Sequence, residues 1–160
     1  MATRVPLVLV GGEIAQLPAG DSIIVPVSGA TEIPLVNDNV GAVVCGAPVY
    51  SSAAGHIDKA NATAAATAKV IGIMTTTSTA SGATGQVAVD GFVTLTTAQW
   101  DAVVTGASGG LIFNTFYYLD TTAGKLTTSP TTTVGQNNVF IGKGISATIM
   151  NLDIRNPILL

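Results

Sequence analysis

Apolar runs in this sequence are short, and a turn signal follows nearly every one of them. Gly, Pro, Asn, Asp and Ser separate the runs at near-regular intervals, a pattern typical of sheets made from many short strands. We predict an all-β fold, either a small β-barrel or a jelly-roll-like β-sandwich. The predicted strands of the main body are 43–45, 48–51, 70–74, 86–95, 116–119, 125–128, 139–141 and 145–154.

Two segments depart from the strand pattern. Alanines alternate with other residues over 59–69, which has the period of a strand but the composition of a helix, and we expect an extended or irregular segment. Thr96 to Gln99 has the form of a capping box, and Trp100, Val103 and Val104 follow at the spacing of one helix face. We therefore predict one short helix over 97–105, with Trp100 in the core.

The N-terminal region is predicted to form a hairpin or arm. The runs 5–10 and 13–17 flank Gly11-Gly12, a pair suited to a tight hairpin turn, and residues 18–34 contain enough turn residues to act as a linker. We divide the chain into an arm over 1–30 and a barrel or sandwich body over 31–160. The sequence leaves open whether the arm packs on its own body or on a neighbour.

Charge is scarce in this chain. Six Lys and Arg residues and nine Asp and Glu residues make up 9% of the sequence, against about 25% in an average soluble domain. Few charges remain to keep copies apart, so we expect a surface largely covered by other subunits. The basic residues are scattered singly and no apolar run reaches about 18 residues, so we expect neither nucleic acid nor membrane as a partner.

No catalytic constellation is recognisable. Cys45 and the only histidine, His56, make a dyad on paper, but neither lies in a nucleophile motif. The stretch from Asn37 to Gly41 lacks the spacing of a calcium loop and is better explained as a turn. We expect no enzymatic activity, no cofactor and no metal site. The isolated acids Asp58, Asp90, Asp101, Asp120 and Asp153 each have a turn, cap or strand-edge explanation.

The body contains an ordered succession of short motifs: 46–50, 69–73, 90–93, 97–103, 116–120 with 124–127, and 139–146. Taken in this order, they resemble small structural modules of tailed bacteriophages, which occur as capsid decoration (cement) proteins and within head or tail fibres. The resemblance covers about residues 43–155, and the segments 5–10 and 16–21 also look like an N-terminal segment of phage fibre proteins.

The resemblance implies a non-enzymatic virion protein, assembled in the host cytoplasm and seated on the capsid surface. Its expected partner is the major capsid protein, at capsomer junctions, and its expected state is a homotrimer. Because a fibre normally carries such a module within a longer chain with repeats or coiled coil, we expect a cement protein, with a glycan-binding fibre module as the alternative. The apolar ends supply the candidate interaction residues: Val5, Leu7, Leu9, Ile158, Leu159 and Leu160.

Overall fold

The computed structural model describes residues 7–10, 13–16 and 29–160, the first two ranges as backbone only. The predicted all-β fold with a single short helix is confirmed, and the sheet is barrel-like. The strands are β1 Leu7–Val10, β2 Glu13–Gln16, β3 Thr31–Asn37, β4 Val43–Val44, β5 Pro48–Ala53, β6 His56–Lys59, β7 Val70–Met74, β8 Ser78–Thr79, β9 Thr84–Thr94, β10 Phe116–Leu119, β11 Leu126–Thr127, β12 Asn137–Asn138, β13 Phe140–Gly144, β14 Ile149–Leu152 and β15 Ile158–Leu159.

Strand β9 connects the two halves of the main sheet. Strands β3, β6, β5 and β7 pair in that order, and β9 pairs with both β3 and β7, which closes a five-stranded barrel. The C-terminal part of β9 pairs instead with β14, and the sheet continues through β13 and β10 to β11. We call these last four strands the extension. Gly91, at φ +93°, lies where β9 passes from one half to the other.

The core lies inside both halves of this sheet. Aliphatic side chains that are fully buried include Val49, Ile57 and Ile73 from the barrel and Ile141 and Met150 from the extension. They alternate with exposed side chains along the strands, for example in β9, where Val87 and Val93 are buried and Gln86 and Phe92 are exposed. This alternation is the period-two pattern of a sheet with one face in the core.

The helix α1, Thr97–Val103, begins at the predicted capping box. The Thr96 hydroxyl accepts from the Gln99 N–H at 3.2 Å, and the Gln99 side chain accepts from the Thr96 N–H at 2.8 Å. The helix ends two residues earlier than predicted, because Val104 is already extended. Trp100 is fully buried, as predicted, and its Nε1–H donates to the Thr148 carbonyl at 3.0 Å.

Three sequence-based assignments need correction or completion. Residues 31–34 belong to β3 and are not part of a linker. Residues 56–59, which lie in none of the predicted strands, form β6 after a tight turn at Ala54-Gly55. The alanine-rich segment is irregular, one of the two forms expected. It buries Ala60, Ala62 and Ala68 while backbone hydrogen bonds tie it to neighbouring loops.

Two short strands lie in the region of the predicted N-terminal hairpin, which itself stays a prediction. Strands β1 and β2 pair antiparallel, with Leu7 opposite Gln16 and Leu9 opposite Ile14. Residues 11–12, the predicted turn, lie outside the described residues, as does most of the predicted linker.

Candidate interaction surfaces

The predicted C-terminal interaction residues lie together at the surface. Strand β15 pairs with β12, and the side chains of Ile158 and Leu159 are 64% and 67% exposed. Leu160 is also exposed, and its carbonyl accepts from the Gly135 N–H at 2.9 Å, which places it close to the exposed Val134. These four exposed apolar residues, Val134, Ile158, Leu159 and Leu160, lie close together, and we call them the C-terminal patch.

The predicted N-terminal interaction residues are only partly accounted for. Leu7 and Leu9 lie in β1, where only the backbone is described, and Val5 lies outside the described residues. The structure therefore locates one of the two predicted apolar ends.

A second apolar surface was missed by the sequence reasoning. None of the four phenylalanines is buried: Phe92, Phe113 and Phe116 are exposed and Phe140 is partly exposed. Phenylalanine is normally among the most buried residue types, and groups of exposed apolar side chains are typical of contact surfaces, so these rings are candidates for such a surface.

Three aromatic rings form a continuous row across β10 and β13. Phe116 and Tyr118 lie two residues apart on β10, and each meets the Phe140 ring edge-to-face, with centroids 5.6 and 5.8 Å apart. The Lys143 ammonium lies 5.5 Å from the centre of the Phe116 ring and the Arg155 guanidinium 6.0 Å from that of Phe140. Cations therefore lie over two of the exposed rings at distances typical of cation–π contacts.

The loop that precedes β10 carries the most exposed aromatic side chain. We call residues 109–115 the Phe113 loop, since Phe113 is 74% and Ile112 64% exposed. The loop is held almost throughout by backbone N–H groups that donate hydrogen bonds. The donating residues are Gly109, Gly110, Leu111, Ile112, Asn114 and Thr115.

Two side chains from the body hold the Phe113 loop in place. The Asp101 carboxylate, on α1, accepts from the N–H groups of Gly109 and Gly110 at 2.9 and 2.8 Å. The hydroxyl of the buried Tyr117 accepts from the Ile112 N–H at 2.8 Å. The loop thus has a fixed shape: Leu111 is buried in the core while Ile112 and Phe113 are exposed, and a fixed shape of this kind lowers the entropy cost of a contact.

A shallow groove lies beside β3 and β9. It has a volume of about 470 Å³, and its lining includes Ala30, Glu32, Gln86, Phe92 and Leu95. We call it the Glu32 groove, because Glu32 is the charged residue in its lining. Its walls combine apolar surface with one exposed carboxylate.

A second groove, of about 380 Å³, is mainly polar. Its lining includes Thr127, Thr131, Gln136 and Asp120. Burial raises the pKa of Asp120, but hydrogen bonds from Thr105, Thr122 and Thr121 outweigh it, and the net pKa lies below the ordinary value. This carboxylate is therefore ionised at neutral pH and already engaged with its own surroundings.

The only histidine, His56, belongs to an exposed polar cluster where β5 ends and β6 begins. His56 Nδ1 donates to one oxygen of Asp38 at 2.7 Å, and the Ser52 hydroxyl donates to the other at 2.8 Å. Both donors meet the carboxylate, so Ser52 is not bonded to the imidazole as the nucleophile of a triad would be. The expected turn is present next to it, because the Asn37 side chain accepts from the Asn39 N–H at 2.8 Å.

We expect His56→Ala to raise the pKa of Asp38. The hydrogen bond from His56, followed by that from Ser52, holds this pKa below its ordinary value. A lowered carboxyl pKa stabilises the fold above the pKa of the unfolded chain, about 3.9, and the stabilisation is lost as pH falls through the lower folded value. NMR titration of the side-chain carboxyl carbons would measure the change. Asp153, whose pKa is lowered by Arg155, is the internal control, and an Asp38 titration identical to wild type would contradict the assignment.

Cys45 and His56 have different partners, so the dyad considered from sequence is not assembled here. The Cys45 Sγ–H donates to the Thr75 carbonyl at 3.1 Å, and burial raises the pKa of the thiol. A buried thiol with a raised pKa is a weak nucleophile at neutral pH. Within the described residues, no three His, Cys, Asp or Glu side chains are grouped in a way that could hold a metal ion.

The five acids that seemed isolated in the sequence each have a local partner. Asp101 and Asp120 hold loops, Asp153 pairs with Arg155, Asp58 accepts from Asn39, and Asp90 accepts from the Gly91 N–H.

In the part of the chain that the structure describes, no helix is long and apolar enough to cross a membrane. No protein-family model matches the sequence, and a comparison with curated proteins found no significant match.

Proposed function

We propose that this chain is a non-enzymatic virion structural protein, a decoration or cement protein that binds the outer surface of a phage head. In this proposal it acts as a homotrimer at capsomer junctions, contacts the major capsid protein and stabilises the shell by adding contact area. The observation that carries the proposal is that none of the four phenylalanines is buried, three of them lying on strands of the sheet and one on the Phe113 loop. Sequence motifs that resemble phage structural modules give the class of partner.

The surface chemistry supports contact with protein. Exposed apolar side chains occur as groups, at the C-terminal patch and around the Phe113 loop, and few charges separate them. A standard protein interface removes about 800 Å² per partner, an area that such groups can supply. Binding of this kind depends little on Coulombic attraction, so it should persist at high salt.

The test is binding to purified capsids, with imaging of the particle. We expect Ile158→Ser with Leu159→Ser, and separately deletion of residues 1–10, to weaken capsid binding at least about tenfold, because each removes apolar contact area. The melting temperature of the body should change little. Val40→Ser is the matched control, since Val40 is a fully exposed apolar residue away from the patch.

Two results would contradict the proposal. Unchanged capsid affinity in both variants would exclude the predicted ends as the contact. Cryo-electron microscopy that shows density only on the tail, with bare three-fold positions on the head, would exclude the decoration role altogether.

The second candidate is a fibre module that binds a host surface glycan. The polar groove supports it, because Tyr118, which stands opposite Thr127, lies beside a set of hydroxyl and amide groups. Trp100 and Tyr117 are buried, so a sugar could not stack on their rings. A reproducible hit on a glycan array that Tyr118→Ala abolishes would favour this function, and the Val40→Ser variant again serves as control.

A further inference from the structure

We propose that the Phe113 loop of one copy inserts into the Glu32 groove of a second copy, with Lys143 of the first facing Glu32 of the second. The inference rests on the proposed homo-oligomer and names the surfaces that would build it. Both surfaces of the proposed contact are present on one chain, and they differ in shape and charge. The Phe113 loop projects and lies near the Lys143 ammonium, whereas the Glu32 groove is concave and carries the Glu32 carboxylate.

The projecting side is built to be inserted. Ile112 and Phe113 stand out from a loop whose backbone is fixed by Asp101 and Tyr117, so little freedom remains to be lost on binding. Phe116 continues the apolar surface on β10, and Lys143 lies over its ring. Large apolar side chains held rigidly at the centre of a contact are the usual carriers of binding energy.

The receiving side has matching properties. The groove volume of about 470 Å³ lies within the range of sites that accommodate bulky side chains or small ligands. Phe92, exposed at one wall, offers an edge or face to an incoming aromatic ring. Two other grooves fit less well, since one is polar and the other, near the C terminus, is lined by Lys69 and Arg155.

Charge complementarity selects a second copy as the occupant. Among the described residues, ion pairs link His56 to Asp38 and Arg155 to Asp153; Lys143 and Glu32 are among the other charged residues, which have no partner of opposite charge within 4.0 Å, and they are the ones that lie at the two surfaces. A contact between copies would pair them at its rim, where opposite charges orient partners and raise the association rate.

The register of the sheet separates the Phe113 loop from the Glu32 groove of the same chain. Phe116, Lys143, Asn151 and Phe92 lie directly opposite one another across β10, β13, β14 and β9. Three interstrand steps of about 4.8 Å therefore separate Phe116 from Phe92. Since the loop and the groove are different surfaces, repeated insertion is head-to-tail, and it forms a ring when the rotation between copies closes and an open filament when it does not.

The first measurement is the solution mass of the full chain over a range of concentrations. We expect Phe113→Ser to weaken self-association at least about 30-fold, the effect of losing a central aromatic anchor. Far-UV circular dichroism and the melting temperature at low concentration should stay as in wild type, because the side chain is exposed. Val40→Ser, an equally apolar-to-polar change at the surface, should not alter the mass.

The second measurement is a charge exchange. Lys143→Glu and Glu32→Lys should each weaken self-association about 3- to 10-fold, and the double variant should recover most of the loss. Lys69→Glu, which makes the same charge change outside both surfaces, should have no effect. Recovery in the double variant distinguishes direct pairing from a general change in net charge.

Three outcomes would overturn the inference. A monomeric wild type at all concentrations would do so, as would a charge-exchange variant no better than its single parents. Self-association that appears only after deletion of residues 1–28 would mean that the chain's own N-terminal segment occupies the groove. Capsid binding is measured separately. A monomeric wild type that binds capsids supports the decoration role but contradicts the homotrimer, whereas a charge-dependent oligomer that does not bind capsids supports only this inference.

Discussion

Trp100→Ala is expected to cost about 3–5 kcal/mol of unfolding free energy, a large part of the roughly 5–15 kcal/mol that holds a domain of this size together. Trp100 is the largest fully buried side chain, and its Nε1–H is satisfied by the Thr148 carbonyl at 3.0 Å. Removing the ring leaves a cavity that rigid strands cannot close. It also leaves a carbonyl without its side-chain donor.

Thermal unfolding followed by far-UV circular dichroism measures this loss. The melting temperature should fall by about 6–20 °C, since each kcal/mol shifts it by about 2–4 °C in a chain of this length. Fluorescence is unsuitable because Trp100 is the only tryptophan. Phe113→Ala is the control: an exposed aromatic residue of similar size should cost no more than about 0.5 kcal/mol. Equal losses in the two variants would contradict the placement of Trp100 in the core.

Gly110→Ala should be the second most damaging change, with a loss of about 3 kcal/mol or more. Gly110 has φ +88°, and a Cβ placed on it would lie 2.2 Å from the Ala147 carbonyl oxygen and 2.9 Å from Thr97 Cγ2. Backbone in this region already strains an L-residue by about 1–2 kcal/mol, and the clash adds to that because the oxygen belongs to the backbone.

The neighbouring glycine supplies a matched control. Gly109 has φ +89° and also donates to Asp101, but a Cβ placed on it would meet no atom within 4 Å. Gly109→Ala should therefore cost only the conformational strain, about 1–2 kcal/mol, and urea unfolding of both variants isolates the steric part. A Gly110→Ala protein as stable as Gly109→Ala would show that the loop is not seated against Ala147 as described.

The elements that the sequence predicted well are those with strong local signals. Strands β7 and β10 have the predicted bounds, since each is an apolar run with turn residues on both sides. The capping box at Thr96 fixed the start of α1 for the same reason. Its end was predicted too late because Gly106, at φ +77°, stops the turn that follows the helix and not the helix itself.

The strands that the sequence did not predict depend on pairing with other strands distant in the chain. Strand β3 contains Pro34 and ends at the turn-forming Asn37, so its local signal is that of a linker, and β9 supplies most of its hydrogen-bonding partners. Strand β6, which coincides with none of the predicted strands, begins directly after Gly55, a residue typical of turns. Neither strand has a long apolar run to reveal it.

The aromatic surface was within reach of sequence reasoning but was not found. Alternation along β10 already predicts that Tyr117 and Tyr118 face opposite sides, and the same rule puts Phe116 on the side of Tyr118. Tyr117 is buried and the other two are at least partly exposed. The Phe113 loop could not be predicted, because its shape depends on Asp101 and Tyr117, which reach it from α1 and β10.

The continuity of β9 has a mechanical consequence. Its first part closes the barrel with β3 and β7, and its last part carries the extension through β14. A load applied at the aromatic surface passes across the hydrogen-bonded strands to β9 and then along its covalent backbone into the barrel. The barrel and the extension share β9 as one covalent strand, so tension can separate them only by breaking a ladder of hydrogen bonds.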